Sequence, residues 1–156
     1  MEKKNDGKRT IATNRRARRD YEISATVEAG LVLVGTEVKS LRDGKADLKD
    51  AYALERGGEL FLVGMHITPY GRASHFNHEP RRERKLLLHR REILRLGTRI
   101  RERGFTLIPL ELYFSGARVK VLLGLARGRK QYDHREAIRE REDRRELRAS
   151  SERSKA

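Results

Sequence analysis

Between Asp20 and Ala126 the apolar residues recur mostly at every second position, and turn residues punctuate the runs. A period of two restricts the folded part of the chain to strands. Tyr21, Ile23, Ala25 and Val27 alternate with Glu22, Ser24 and Thr26, which predicts a half-buried strand. A turn at Ala29-Gly30 and the run Leu31–Val34 predict a second strand. Gly57-Gly58 separates two apolar runs, residues 51–54 and 60–63, which is a hairpin signal. Residues 65–70 predict a short extension that ends at Pro69. Strand chemistry returns over residues 105–114, turns at Ser115-Gly116, and comes back through Val119, Val121, Leu123 and Leu125.

Two segments depart from this period. Thr36 as N-cap, Glu37 in the first turn, Val38 and Leu41 three apart, and Gly44 as the stop predict a short helix. Lys39 and Arg42, also three apart, share its side opposite Val38. The spacing of Leu86, Leu87, Ile93, Leu94 and Ile100 predicts helix within residues 81–104. Strands that must hide their edges, with a few interposed helices, lead us to expect a mainly β chain. The expected architecture is an OB-like closed β-barrel with flanking short helices over residues 20–126.

The ends carry no core signal. Residues 1–19 lack apolar periodicity and read as a flexible basic N-terminal arm. In residues 127–156 the only large apolar residues are Tyr132, Ile138 and Leu147. Glu136–Arg139, Glu142–Arg145 and Glu140–Arg144 are helix-supporting pairs worth roughly 0.2–0.5 kcal/mol each. An isolated helix of that length is marginal in water. The expected C-terminal tail is therefore basic, disordered when free and helical when a partner holds it.

Charge points to the partner. The 156 residues hold 37 Lys and Arg against 23 Asp and Glu, a net of +14. Residues 1–19 carry +6, residues 81–104 carry +7 and residues 127–156 carry +4, leaving −3 for the rest. Such segregation favours a polyanion, nucleic acid before an anionic membrane. No apolar run approaches the roughly 20 residues of a membrane span. The N-terminus has no apolar h-region, so a cytoplasmic protein is expected.

Catalysis finds little support. With no cysteine there is no thiol nucleophile and no Cys-based zinc site. GxSxG, P-loop, GxGxxG and HExxH patterns are all missing, and no carboxylate pair stands out. His75-x-x-His78-Glu79 is the nearest approach to a metal cluster, and it reads instead as a loop near RNA or solvent. We expect no enzyme, no metal and no cofactor. The binding candidates are basic. Asn14-Arg15-Arg16-Ala17-Arg18-Arg19 leads into Tyr21, and arginines can fork onto phosphate beside an aromatic that stacks on a base. Tyr21 is equally suited to the core. Lys39 with Arg42, and Arg81, Arg82, Arg84 and Lys85 at the opening of the second helical region, are phosphate candidates or solvated faces.

Several runs together resemble the SsrA-binding protein family, also called small protein B. They are Asn14–Tyr21, Gly35–Arg42, Met65–Tyr70, Phe76–Arg82, Arg84–His89, Pro109–Phe114 and Gly128–Glu136. The resemblance implies an OB-like barrel that binds the tRNA-like part of transfer-messenger RNA on its elbow side. It implies entry into stalled bacterial ribosomes for trans-translation, with the protein standing in for the missing anticodon arm. The tail would lie along the vacant messenger channel, against ribosomal RNA near the decoding region. The family's RNA face matches Asn14, Arg15, Tyr21, Glu28 and Lys120. Glu28 would accept from base amino or ribose hydroxyl groups, although next to Ala29-Gly30 it also reads as a turn residue. The tail motif matches Gly128 as a hinge, Arg129 and Lys130, Tyr132, and Asp133-His134-Arg135. His134 stands where the family has lysine, which removes a permanent cation. A monomer working with that RNA and the ribosome is thus expected. A generic OB-type RNA-binding or ribosomal protein on ribosomal RNA is the alternative, and a nuclease fails for want of a metal–carboxylate cluster.

Overall fold

The computed structural model describes residues 8–72, 76–102 and 104–128. The strands are β1 (Lys8–Thr13), β2 (Tyr21–Leu31), β3 (Ala46–Asp47), β4 (Tyr52–Arg56), β5 (Glu59–Val63), β6 (His66–Ile67), β7 (Arg84–Leu87), β8 (Phe105–Ser115) and β9 (Arg118–Gly128). The helices are α1 (Ala17–Asp20), α2 (Gly35–Arg42) and α3 (Arg90–Arg101). Seven strands form one antiparallel sheet in the order β1-β8-β4-β5-β7-β2-β9. Strand β9 also pairs back along β8, so the pairings return on themselves. Strands β3 and β6 make a separate two-residue ladder.

The main core lies on one face of this sheet. Ala29 and Leu31 of β2, Val121, Leu123 and Leu125 of β9, Leu107 and Leu112 of β8, and Leu60 and Leu62 of β5 meet there. Leu41 of α2 and Leu96 of α3 close it. The predicted hairpin forms across Gly57 (φ 63) and Gly58 (φ 78), both in the left-handed region that a tight two-residue turn requires. The return from β8 to β9 also forms at Ser115–Arg118.

A second, smaller cluster sits on the opposite face. Ala17, Ile108, Leu110 and Ala126 are buried there, with Tyr21, Ile23 and Leu122 against them. Its origin is a pair of bulges. The β2–β9 register shifts between Ile23 and Ala25, and the β8–β9 register shifts between Pro109 and Glu111. One extra residue reverses the facing of everything beyond it. Tyr21 and Ile23 therefore turn outward while Val27 and Ala29 turn to the core, although all four share one sequence period. Gly124 completes the outer cluster. A Cβ there would stand 2.9 Å from Leu110 Cδ1 and 3.2 Å from Ile23 Cγ2, so only glycine lets those side chains meet over the strand.

Several expectations are corrected. The structureless arm over residues 1–19 gives way to β1 from Lys8 and α1 from Ala17. β1 pairs with the β8 edge, and Thr10 Oγ1 donates to Glu111 at 2.6 Å. Backbone pairing needs no apolar period, which is why composition missed it. Ala29-Gly30 is no turn: β2 runs through it to Leu31, and Val32–Val34 is not a strand. Helix α2 starts at Gly35, one residue before the expected Thr36 cap. Glu37 Oε1 accepts the Val34 N–H at 2.9 Å, while the Thr36 hydroxyl goes to His78. Of residues 65–70 only His66–Ile67 is strand. Residues 84–87, expected within a helix, are β7, and α3 begins after the His89 cap. The apolar spacing runs across that break and so mimics a single helix. Strand β9 reaches Gly128, which pairs with Tyr21, so Arg127 and Gly128 belong to the sheet rather than to the tail.

Candidate nucleic-acid interface

The outward face of β8, β9 and β2 gathers most of the residues singled out near the N-terminus. Asn14 anchors the approach. Its N–H donates to the Leu110 carbonyl at 2.8 Å, and its side-chain amide donates to the Pro109 carbonyl at 3.0 Å. That latch positions α1, whose Ala17 is only 2% exposed against Ile108, Leu110 and Ala126. With Ala17 as the inward residue, Arg15, Arg16, Arg18 and Arg19 are exposed. Arg15 and Arg18 flank a groove floored by Leu110 and Leu122. Asn14 thus holds backbone, while the arginines beside it are presented to solvent.

Tyr21 satisfies both of its readings. It packs on the outer cluster and also lines a cleft of about 770 Å³ with Arg16, Lys49, Tyr52 and Phe105. Tyr52, exposed on β4, was not singled out from sequence, because its alternation marks it only as an outward strand position.

Farther along the same face, Glu28 pairs in register with Leu122, and Lys120 sits between Gly30 and Tyr113. Glu28 is mid-strand, not a turn residue. The Tyr113 hydroxyl donates to Glu28 Oε2. Burial pushes the Tyr113 phenol well above its ordinary value, and the bond to Glu28 pushes it further, so it remains a donor at any physiological pH. Glu28 is therefore a fixed, exposed carboxylate, able to accept from base or ribose donors and unsuited to phosphate. Lys8 lies 4.7 Å over the Tyr113 ring and 3.5 Å from Glu111, adding a cation to this end. Leu87 faces Gly30 across β7–β2 and is 51% exposed, in a cleft shared with Arg118 and Lys120. The helical reading of its segment hides this outward strand position.

The remaining candidates stand apart. Lys39 and Arg42 are exposed on α2, outside this face. The expected phosphate surface over residues 81–85 does not form as one helix side. Arg82 donates to Glu37 at 2.6 Å, Lys85 pairs with Glu59 at 2.6 Å, and Arg81 is exposed but donates to the Gly64 carbonyl at 3.0 Å. Arg84 is fully buried on Glu37. These charges are mostly committed within the fold. His78 is likewise structural: its Nε2–H donates to the Ile67 carbonyl and its Nδ1 accepts from Thr36, both at 2.9 Å. His75 lies outside the described residues, as do Arg129, Lys130, Tyr132, Asp133, His134 and Arg135.

Among the described residues no helix is long and apolar enough to cross a membrane. Residues 11–153 match the SmpB protein family. A protein of Staphylococcus saprophyticus described as SsrA-binding protein is 58% identical over 132 residues, covering 85% of this chain and 86% of its own length. Another so described, from Staphylococcus aureus strain Newman, is 54% identical over 138 residues, covering 88% and 90%. A solved chain described as "tmRNA-SmpB: a journey to the center of the bacterial ribosome" is 53% identical, with a TM-score of 0.65 over 75% of this chain and 82% of that one.

Proposed function

The chain belongs to the SmpB protein family, and from that premise we propose that it binds the tRNA-like part of transfer-messenger RNA and brings it to stalled ribosomes for trans-translation. We read the returning sheet as an OB-like closed barrel whose outward β2–β9–β8 face is the RNA surface. Arg15, Arg16, Arg18 and Arg19 would hold phosphates. Tyr21 would offer a ring to an unpaired base, and Glu28 and Lys120 would read polar groups between them. On this reading the protein acts by binding and positioning. Residues beyond Gly128 would serve the ribosome, with Arg129, Lys130, Tyr132, Asp133, His134 and Arg135 entering the messenger channel.

One observation carries the assignment of the face. The bulges and the Asn14 latch bring Arg15, Tyr21 and Glu28 together with Lys120, 92 positions beyond Glu28, onto one side of three adjacent strands. The test is binding of the isolated tRNA-like RNA by Tyr21→Ala, Glu28→Lys and Lys120→Ala. A lost base stack is worth roughly 1–3 kcal/mol, so Tyr21→Ala is expected to weaken binding at least several-fold. Lys120→Ala should also flatten the log–log salt dependence by about one if it meets a phosphate. Unchanged affinity in all three folded variants would remove the RNA from this face.

A further inference from the structure

Phe76 is the most exposed large apolar side chain among the described residues, at 90%. A single exposed apolar residue needs no explanation. This one is followed by an anchored backbone. The Asn77 side chain accepts the Tyr70 N–H at 3.1 Å and donates to the Tyr70 carbonyl at 2.9 Å. His78, next in the chain, is buried on Thr36 and Ile67. Four hydrogen bonds therefore pin the two residues that follow Phe76. Val34, 45% exposed, shares a cleft of about 540 Å³ with Phe76, Lys39 and His78.

The surrounding charge says what such a ring is for. Lys39 stands 5.7 Å from the Tyr70 ring centre, Arg42 lies one helical turn along, and Arg72 and Arg81 are exposed nearby in sequence. Glu37 is buried against Arg82 and Arg84, and Glu79, exposed in the same cleft and accepting the Arg81 N–H at 2.8 Å, is a carboxylate outnumbered by these cations. An exposed aromatic face beside an apolar neighbour and an excess of cations suits an unpaired base flanked by phosphates. A protein surface docking there would have to be acidic as well as apolar.

We propose that Phe76 is a stacking platform for an unpaired RNA base, with Lys39 and Arg42 on the adjoining phosphates. This second RNA contact, built on α2 and the loop before β7, shares no residue with the sheet-face site and does not depend on it. The chain contains no tryptophan, so Phe76→Trp places one reporter at the platform. The full chain carrying F76W is titrated with oligoadenylate RNA of roughly ten nucleotides. Saturable quenching of the indole is expected. Adding Lys39→Ala should move the titration to weaker binding and lower the salt slope by about one, and adding Glu28→Lys should leave the quenching in place. In the unlabelled background Phe76→Leu, apolar but without a π face, should weaken oligonucleotide binding by about fivefold or more in anisotropy. An unquenched indole, whether or not anisotropy reports bound RNA, would overturn the proposal. So would quenching that Glu28→Lys abolishes and Lys39→Ala leaves unchanged.

Discussion

Glu37→Leu is expected to lower folding stability by about 3–5 kcal/mol, the cost of leaving a buried charge without its partner. Glu37 and Arg84 are both 0% exposed, and their atoms meet at 2.5 Å. Arg84 also donates to the carbonyls of Met65 at 2.8 Å and Pro80 at 3.1 Å. Leucine at 37 would leave the guanidinium with carbonyls but no anion. The double variant Glu37→Leu/Arg84→Met should recover part of the loss, because the orphaned charge goes while those carbonyls lose their donor. Urea unfolding of the parent, Glu37→Leu, Arg84→Met and the double variant measures the coupling. Additive losses would contradict a paired charge.

Acid tests the same pair. Burial pushes the Glu37 carboxyl up, but hydrogen bonds from Arg82, the Val34 N–H and Arg84 overcome that push and hold it below the ordinary carboxylate range. Burial lowers the Arg84 guanidinium, with Glu37 opposing, and from so high a starting value it remains a cation. Because the folded carboxyl is the stronger acid, its stabilisation is complete above the unfolded carboxylate pKa. It is lost as pH falls through the folded value. The parent protein should therefore lose more stability below about pH 4 than Glu37→Leu does. Equal acid slopes would contradict this.

Ending the chain after Gly128 is expected to leave binding of the tRNA-like RNA nearly intact and to abolish peptide tagging on stalled ribosomes. The cut belongs there because Arg127 pairs with Glu22 and Phe105, and Gly128 pairs with Tyr21, beneath the proposed RNA face. Residues past 128 hold few large apolar side chains and mix Glu136, Glu140 and Glu142 among arginines, a poor grip for a free RNA helix. A helix of such pairs gains once a partner holds one side, which points to a second, later partner. Replacing Asp133, His134 and Arg135 with alanine should reproduce the truncation. A loss of RNA affinity of about 1.4 kcal/mol or more, a tenfold change, or full tagging without the tail, would contradict this division of labour.

What could be read in advance depended on which physics left a local mark. Gly57-Gly58 and the β8–β9 return were legible because a tight turn demands particular residues at fixed places. The split of Tyr21 and Ile23 from Val27 and Ala29 was not, because a bulge at Ser24 leaves the period of two untouched in the sequence. β1 was missed because backbone pairing to a free edge needs no apolar pattern. Arg82, Arg84 and Lys85 looked like a phosphate surface until their partners appeared: Glu37, 45 and 47 positions from the first two, and Glu59 for the third. Charge segregation pointed to a polyanion, while the identity of the RNA came from family resemblance alone.

A transfer-messenger RNA partner is separated from a resident ribosomal role by the RNA that co-purifies with the full chain from cells, quantified beside its occupancy of ribosomes. Enrichment of transfer-messenger RNA is expected, with ribosome occupancy far below one copy each and the enrichment lost in Glu28→Lys. Stoichiometric residence on ribosomes, with ribosomal RNA as the only enriched species, would contradict it.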